Sequence, residues 1–305
     1  MRACRMPRIL AATRDGLHAF DEGGHEGAVE HEGRPVTAIV RAGPQLWAIV
    51  DRSEVWHAPD VEWHHVATLD GHAATCIAMT DAIHVGSSEA RLFRLVGSAL
   101  APVEAFDAAD GRQTWHTPWG GPPDTRSISE WDEDVYVNVH VGGILHTADN
   151  GATWNPTIDI HADVHQVGTA EGLVLAACAG GLATSTDRGA TWSVRTDGLE
   201  APYARAVAVC GERVLVSASD GPRGGHASVY RADLASGEFE RCRAGLPEWF
   251  DDNIDTYCLD ALNDGSFATF GTAEGEVYAS DDAGITWHEL GTGLAPVQHL
   301  LIVPD

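Results

Sequence analysis

The chain has 305 residues, and its 45 Asp plus Glu against 19 Lys plus Arg give a formal charge of −26. That balance argues against a nucleic-acid partner, because phosphate backbones demand a basic face, and it disfavours an anionic membrane surface. Hydrophobic residues at 44% can fill a sizeable core, while 33 Gly and 14 Pro favour many tight turns over long helices.

At the N-terminus, Arg2, Arg5 and Arg8 precede only Ile9–Ala12, an apolar stretch too short for a secretory leader. No later run reaches the roughly 18 apolar residues of a membrane span. The expectation is a cytoplasmic protein. Its six cysteines (Cys4, Cys76, Cys178, Cys210, Cys242 and Cys258) are scattered without a C-x-x-C pair. They read as reduced and mostly buried. Ile9–Thr13, Gly16–Phe20 and Ala28–His31 read as three short strands, and the acidic stretch from Asp21 to Glu32 as a solvated turn.

Strand patterns then recur in units. First strands are expected at Pro35–Val40, Ala73–Met79, Asp124–Ser129, Asp163–Val167, Tyr203–Val209, Asp255–Leu259 and Pro296–Val303, about 40 to 50 residues apart. Short apolar runs alternate with turn residues, and no amphipathic helix stands out. One octapeptide, [ST]-x-D-x-G-x-T-W, occurs three times: Thr147–Trp154, Ser185–Trp192 and Ser280–Trp287. Its physics is that of a hairpin turn. The Asp accepts hydrogen bonds from the turn's own backbone, the Gly supplies a positive φ, and the Trp packs the root of the next strand. The repeat spacing predicts an all-β chain, residues 1–305 forming a single seven-bladed β-propeller with four-stranded blades. Pairing the lone C-terminal strand with the three N-terminal ones would close the ring and remove its open edges. Six blades is the competing count.

Aligning the first strands yields a polar column: Thr37, Thr75, Arg126, His165, Arg205, Thr256 and Gln298. Arg126 and Arg205 stand out in so acidic a chain. A guanidinium fork matches carboxylate, sulfate or phosphate, and neighbouring Asp124, Asp163 or Asp255 could equally neutralise it. His140, His161 and His165 fall at the junction of adjacent blades. Three imidazoles, with Asp163 or His116, form a candidate divalent transition-metal site with an open position; single buried histidines more commonly serve as hydrogen-bonded core residues. Two Gly/Pro-rich loops precede first strands and carry Trp119 and Trp249, either as pocket walls or as hydrophobic plugs. The insert Asp220–His226 widens a hairpin. His57, His64 and His65 read as surface or inter-blade packing. The sequence contains no G-x-S-x-G, P-loop or dinucleotide-binding fingerprint.

The octapeptides resemble the Asp-box, or BNR, repeat, and the chain resembles the sialidase-like propeller superfamily, in particular small bacterial BNR-repeat proteins. The resemblance implies an arginine clamp for an anionic substrate, a tyrosine-centred nucleophile and an acidic residue. Arg126 and Arg205 match clamp members, Tyr203 lies one strand period before Arg205, and Asp124, Asp163 and Asp255 are the acids available. The family's Arg-Ile-Pro motif and a third column arginine are missing, so a working sialidase is not expected. Two functions follow. One is a hydrolase or lyase acting on a small anionic or carbohydrate-like substrate. Arg126, Arg205, Trp119 and Trp249 would bind that substrate, with His165, Tyr203 and Asp255 as catalytic groups and a metal on His140, His161 and His165. The other is a non-catalytic propeller that binds a ligand or protein, as an assembly factor does. Oligomeric state is not legible.

Overall fold

The computed structural model describes residues 7–21 and 24–304; Arg2, Cys4, Arg5 and Glu22 lie outside them. Strands β1 (Arg8–Thr13), β2 (Gly16–Asp21) and β3 (Gly24–Glu30) share one sheet. Six further sets of four strands follow. They are β4 (Val36–Ala42), β5 (Gln45–Val50), β6 (Glu54–Ala58), β7 (His64–Thr68); β8 (Ala74–Met79), β9 (Ile83–Ser87), β10 (Arg91–Val96), β11 (Ala99–Pro102); and β12 (Thr125–Trp131), β13 (Asp134–Val139), β14 (Gly143–Thr147), β15 (Asn155–Pro156). Next come β16 (Val164–Ala170), β17 (Leu173–Cys178), β18 (Gly181–Ser185), β19 (Ser193–Arg195); and β20 (Tyr203–Cys210), β21 (Arg213–Ser219), β22 (Ser228–Asp233), β23 (Glu240–Arg241). The last set is β24 (Leu259–Ala261), β25 (Ala268–Gly271), β26 (Val277–Ser280), β27 (His288–Gly291), after which β28 (Val297–Val303) returns to the first sheet.

The result is seven four-stranded antiparallel blades, a seven-bladed β-propeller. β28 runs antiparallel to β1 from Arg8↔Val303 to Thr13↔Val297, which supplies the first blade's missing strand and removes the six-blade alternative. Contacts divide the chain into two compact units, residues 1–37 with 196–305 and residues 38–195. In the first, Phe250, Phe270, Tyr278 and Trp287 interlock with Phe20, Leu215 and Ile302. In the second, separate clusters form around Ile49, Ile77 and Val85 and around Tyr136, Ile144 and Val167. Burying each such side chain contributes about 1.5–3 kcal/mol.

One expected strand and one expected turn differ from the reading above. The sixth first strand begins at Leu259, where the sequence reading ended it, because residues 255–258 close a turn (Cys258 N–H to Asp255 O, 2.9 Å) with Tyr257 in the left-handed region. The acidic N-terminal stretch is not only a turn, since β3 occupies Gly24–Glu30.

The three octapeptides join the third and fourth strands of their blades. In each, the leading Ser/Thr hydroxyl donates to the Asp (2.8, 2.8 and 2.9 Å) and the Asp accepts the N–H of the Thr four residues on (2.9, 2.8 and 2.8 Å). Both central residues of each turn have positive φ: Asn150 and Gly151, Arg188 and Gly189, Ala283 and Gly284. That conformation matches the twist of the flanking strands. Backbone and hydroxyl donors from Thr153 and Thr191 hold the Asp149 and Asp187 carboxyls down at about 2.

The polar column has a backbone cause. Pairing of first and second strands skips a residue at Thr75, Arg126 and His165, skips Arg205 with Ala206, and skips Gln298 where β28 meets β1. Each is a β-bulge, which re-aims a side chain out of the ladder. The orphaned Ala206 N–H is taken up by Ser217 Oγ at 2.9 Å, which in turn donates to Ile254 O at 2.7 Å. The same kink therefore recurs where the functional candidates sit.

Candidate functional site

In the unit of residues 38–195, the end of β13 meets the start of β16. Val137 and Val139 are buried in the core, and His140 begins the turn to β14, its N–H donating to Asp124 O at 3.0 Å. A short 3-10 turn, Ile160–Ala162, capped by the Asp159 side chain, delivers Asp163 and then bulged His165. His140 Nε2 lies 3.0 Å and His165 Nε2 3.8 Å from Asp163 Oδ1. All three ligand atoms fall within 4.8 Å of one another. A four-coordinate ion with bonds of about 2.0–2.2 Å would hold its ligand atoms roughly 3.3–3.6 Å apart, so this cluster needs only small adjustments to close on one.

Both imidazoles are buried, His165 completely. The hydrogen bond from His140 holds the Asp163 carboxyl below its ordinary range against the opposing effect of burial, and the nearby His165 and Arg126 charges add to this. Asp163 sits at φ 50°, ψ 66°, and Val141, next to His140, at φ 52°. Left-handed backbone is uncommon for Asp and unfavourable for a β-branched residue, and such strain gathers at functional sites.

Trp119 stacks obliquely on His140, with centroids 5.4 Å apart, while 71% of its own surface stays exposed. Its loop is fixed by a turn in which the Gly120 N–H donates to Thr117 O at 3.0 Å. Arg126, on the β12 bulge, places its charge within reach of Asp163. His161 is a correction to the sequence reading. It is exposed on the 3-10 turn, outside the cluster, and Asp163 is the third member instead. His116 is exposed as well and bonds Thr114 O.

In the other unit, Tyr203, Arg205 and Asp255 do come together. The Arg205 guanidinium lies 5.5 Å from the Tyr203 ring centre and 3.7 Å from Asp255 Oδ1. Asp255 is exposed and accepts the Thr256 N–H at 2.8 Å. Trp249 departs from the pocket-wall reading. It lies 3.6 Å over Arg241 of β23, the fourth strand of its blade, with His226 edge-on at 5.1 Å. This is cation–π packing on a buried arginine, whose other partner is Glu200. The sequence reading also missed Asn138, whose Nδ2 donates to the carbonyl of Val164, between Asp163 and His165, at 3.1 Å, and His299 on β28. Polar residues beside the column were the available signal.

The BNR/Asp-box repeat family model matches residues 278–289, the third octapeptide and its flanks. No curated protein matches the sequence. Among solved structures, the computationally designed Ika8 protein aligns with TM-score 0.62 at 14% identity, over 98% of this chain and 89% of that one. The GH74 xyloglucanase from Xanthomonas campestris aligns with TM-score 0.59 at 14% identity, over 83% of this chain but 45% of that one. YCF48 bound to D1 peptide aligns with TM-score 0.57 at 12% identity, over 93% and 85%. At these identities the likeness is one of fold, shared by a designed protein, a glycosidase and a peptide-bound propeller.

Proposed function

We propose that this Asp-box propeller holds a divalent transition metal on His140, Asp163 and His165 and acts as a hydrolase or lyase on a small anionic or carbohydrate-like substrate. The observation that carries the reading is the convergence of two buried imidazoles and a carboxylate, from two consecutive blades, within 4.8 Å. Two histidines and one carboxylate leave coordination positions open, and a bound ion there would polarise a substrate oxygen or lower the pKa of a water. Arg126 would hold the substrate's negative charge, and exposed Trp119 offers an aromatic face to its ring or carbon skeleton. The five described cysteines are buried free thiols, which supports a reducing, cytoplasmic setting.

A second reading, a non-catalytic propeller binding a ligand or protein, draws on one observation. The chain covers most of peptide-bound YCF48 but under half of the GH74 enzyme. The deciding experiment is elemental analysis of the untagged protein, repeated on Asp163→Asn, whose amide tolerates the left-handed backbone. About one transition metal per chain, lost in the variant while the fold persists, supports the metal reading. Metal-free protein that also fails to take up Zn2+, Mn2+ or Fe2+ in titration removes it and favours the binding role.

A further inference from the structure

In the blade of β4 to β7, within the unit of residues 38–195, two histidines stand opposite each other on neighbouring strands. β5 pairs with β6 as Trp47↔His57, and β6 pairs with β7 as His57↔His64. Directly opposed residues of an antiparallel pair share one face, with Cβ atoms about 4.5–5.5 Å apart. Trp47, His57 and His64 therefore form one row across three strands, in which His57 is partly buried and His64 exposed. His65 follows His64 in the chain but points to the other face, because side chains alternate along a strand. There it meets Trp56 edge-on at 5.5 Å and Thr68 Oγ1 at 3.0 Å.

The His57 ring is fixed in orientation and in tautomer. It stacks on Trp47 with centroids 4.0 Å apart and planes inclined by 17°, and its Nε2–H donates to Gln45 Oε1 at 3.1 Å. An amide oxygen only accepts, so the proton stays on Nε2 and Nδ1 keeps its lone pair. Metal-ligating imidazoles are held in this way, one nitrogen donating to an oxygen while the other faces the ion. Burial, and then the neighbouring His64, lower the His57 pKa, so at neutral pH the ring is in the uncharged form that ligates. The exposed Asp60 carboxylate, in the turn between β6 and β7, is close enough to interact with the His64 charge and adds a local field that favours a cation.

We propose that His57, through Nδ1, and His64 together bind one divalent transition ion, Cu2+ foremost, at the surface of this blade. Bonds of about 2.0–2.1 Å to two imidazoles fit side chains rooted at the spacing of an opposed strand pair. Imidazole suits Cu2+, Ni2+ and Zn2+, and affinity within that series peaks at Cu2+. The pair shares no residue with the cluster of His140, Asp163 and His165, so the two sites stand or fall independently.

The test titrates the untagged full-length protein with Cu2+ chelated by iminodiacetate at neutral pH, followed by electron paramagnetic resonance and tryptophan quenching. The chelated ion keeps positions open for two imidazoles but is too bulky to enter the cluster of buried His140 and His165. One saturable equivalent is expected, with nitrogen splittings from two imidazoles. His64→Ala and His57→Phe, the latter keeping the stack on Trp47, should each weaken binding about tenfold or more. His65→Ala removes an exposed imidazole from the other face and should leave affinity within about twofold. A wild-type spectrum with a single imidazole, or a loss in His65→Ala as large as in His64→Ala, overturns the site. Tighter binding of the Zn2+ chelate than of the Cu2+ chelate overturns the choice of ion. If His57→Phe does not fold, the wild-type spectrum and the variants at exposed His64 and His65 still decide.

Discussion

Replacing His299 by Phe should change how stability depends on pH, and the structure sets the size of the change. In the unfolded chain the imidazole titrates near 6.5; in the folded protein burial lowers this to about 3. Below pH 6.5 the unfolded state therefore takes up a proton that the folded state refuses. The stability associated with this group is fully present above pH 6.5 and is lost progressively as the pH falls towards 3. At about 1.4 kcal/mol for each pH unit, the loss is about 2 kcal/mol at pH 5 and about 5 kcal/mol near pH 3. Phe keeps the ring stacked on Tyr257 and removes the sealed Nδ1, so at pH 7.5 the variant should lie within about 1 kcal/mol of wild type. Urea unfolding at pH 7.5, 6 and 5, followed by tryptophan fluorescence, gives the comparison. His84, also lowered by burial, titrates in both proteins and cancels. The variant should gain about 2 kcal/mol on wild type between pH 7.5 and 5. A difference that stays constant over that range would falsify the assignment of a buried, neutral imidazole.

Gly245 has φ 82°, and a Cβ there would meet Trp287 O at 1.7 Å, so Gly245→Ala should cost about 3 kcal/mol or more; an unchanged melting temperature would show that this turn rearranges freely. Trp249→Ala should lower stability by about 2 kcal/mol by uncovering Arg241, yet leave ligand and metal affinity untouched; a loss of binding would restore Trp249 to the site. Burial lifts the Cys76 and Cys178 thiols to about 12 and those of Cys210 and Cys242 to about 11. Ellman's reagent at pH 8 should therefore label none of these four in the native protein within minutes and all of them in guanidinium. Removing the turn carboxylate in Asp187→Ala should lower the thermal midpoint by a few degrees without altering metal content, since this turn joins the third and fourth strands.

The blades were legible along the chain. The recurring Ser/Thr-x-Asp-x-Gly-x-Thr-Trp turn and the spacing of apolar runs are local signals, since each turn is closed by hydrogen bonds within five residues. The pairing of β28 with β1 was legible too, because a lone strand and a three-stranded remainder complete each other. The polar column was also visible, although its cause, a bulge repeated in five blades, exists only in the pairing of strands. Tertiary structure decided which residues meet. His161 and His165 are close in sequence, but the 3-10 turn between them leaves one in solvent and buries the other, and Asp163 takes the third place. Trp249 and Trp119 look alike as loop residues, yet one lies on a buried arginine and the other stands open beside His140. The position of His299 beside column residue Gln298 was visible in the sequence, but its burial, stacking and missing hydrogen-bond partner were not, because they arise from residues some forty positions away. Local hydrogen bonds and strand periodicity can be read along a chain. Desolvation and side-chain convergence depend on distances in space, which only the folded arrangement fixes.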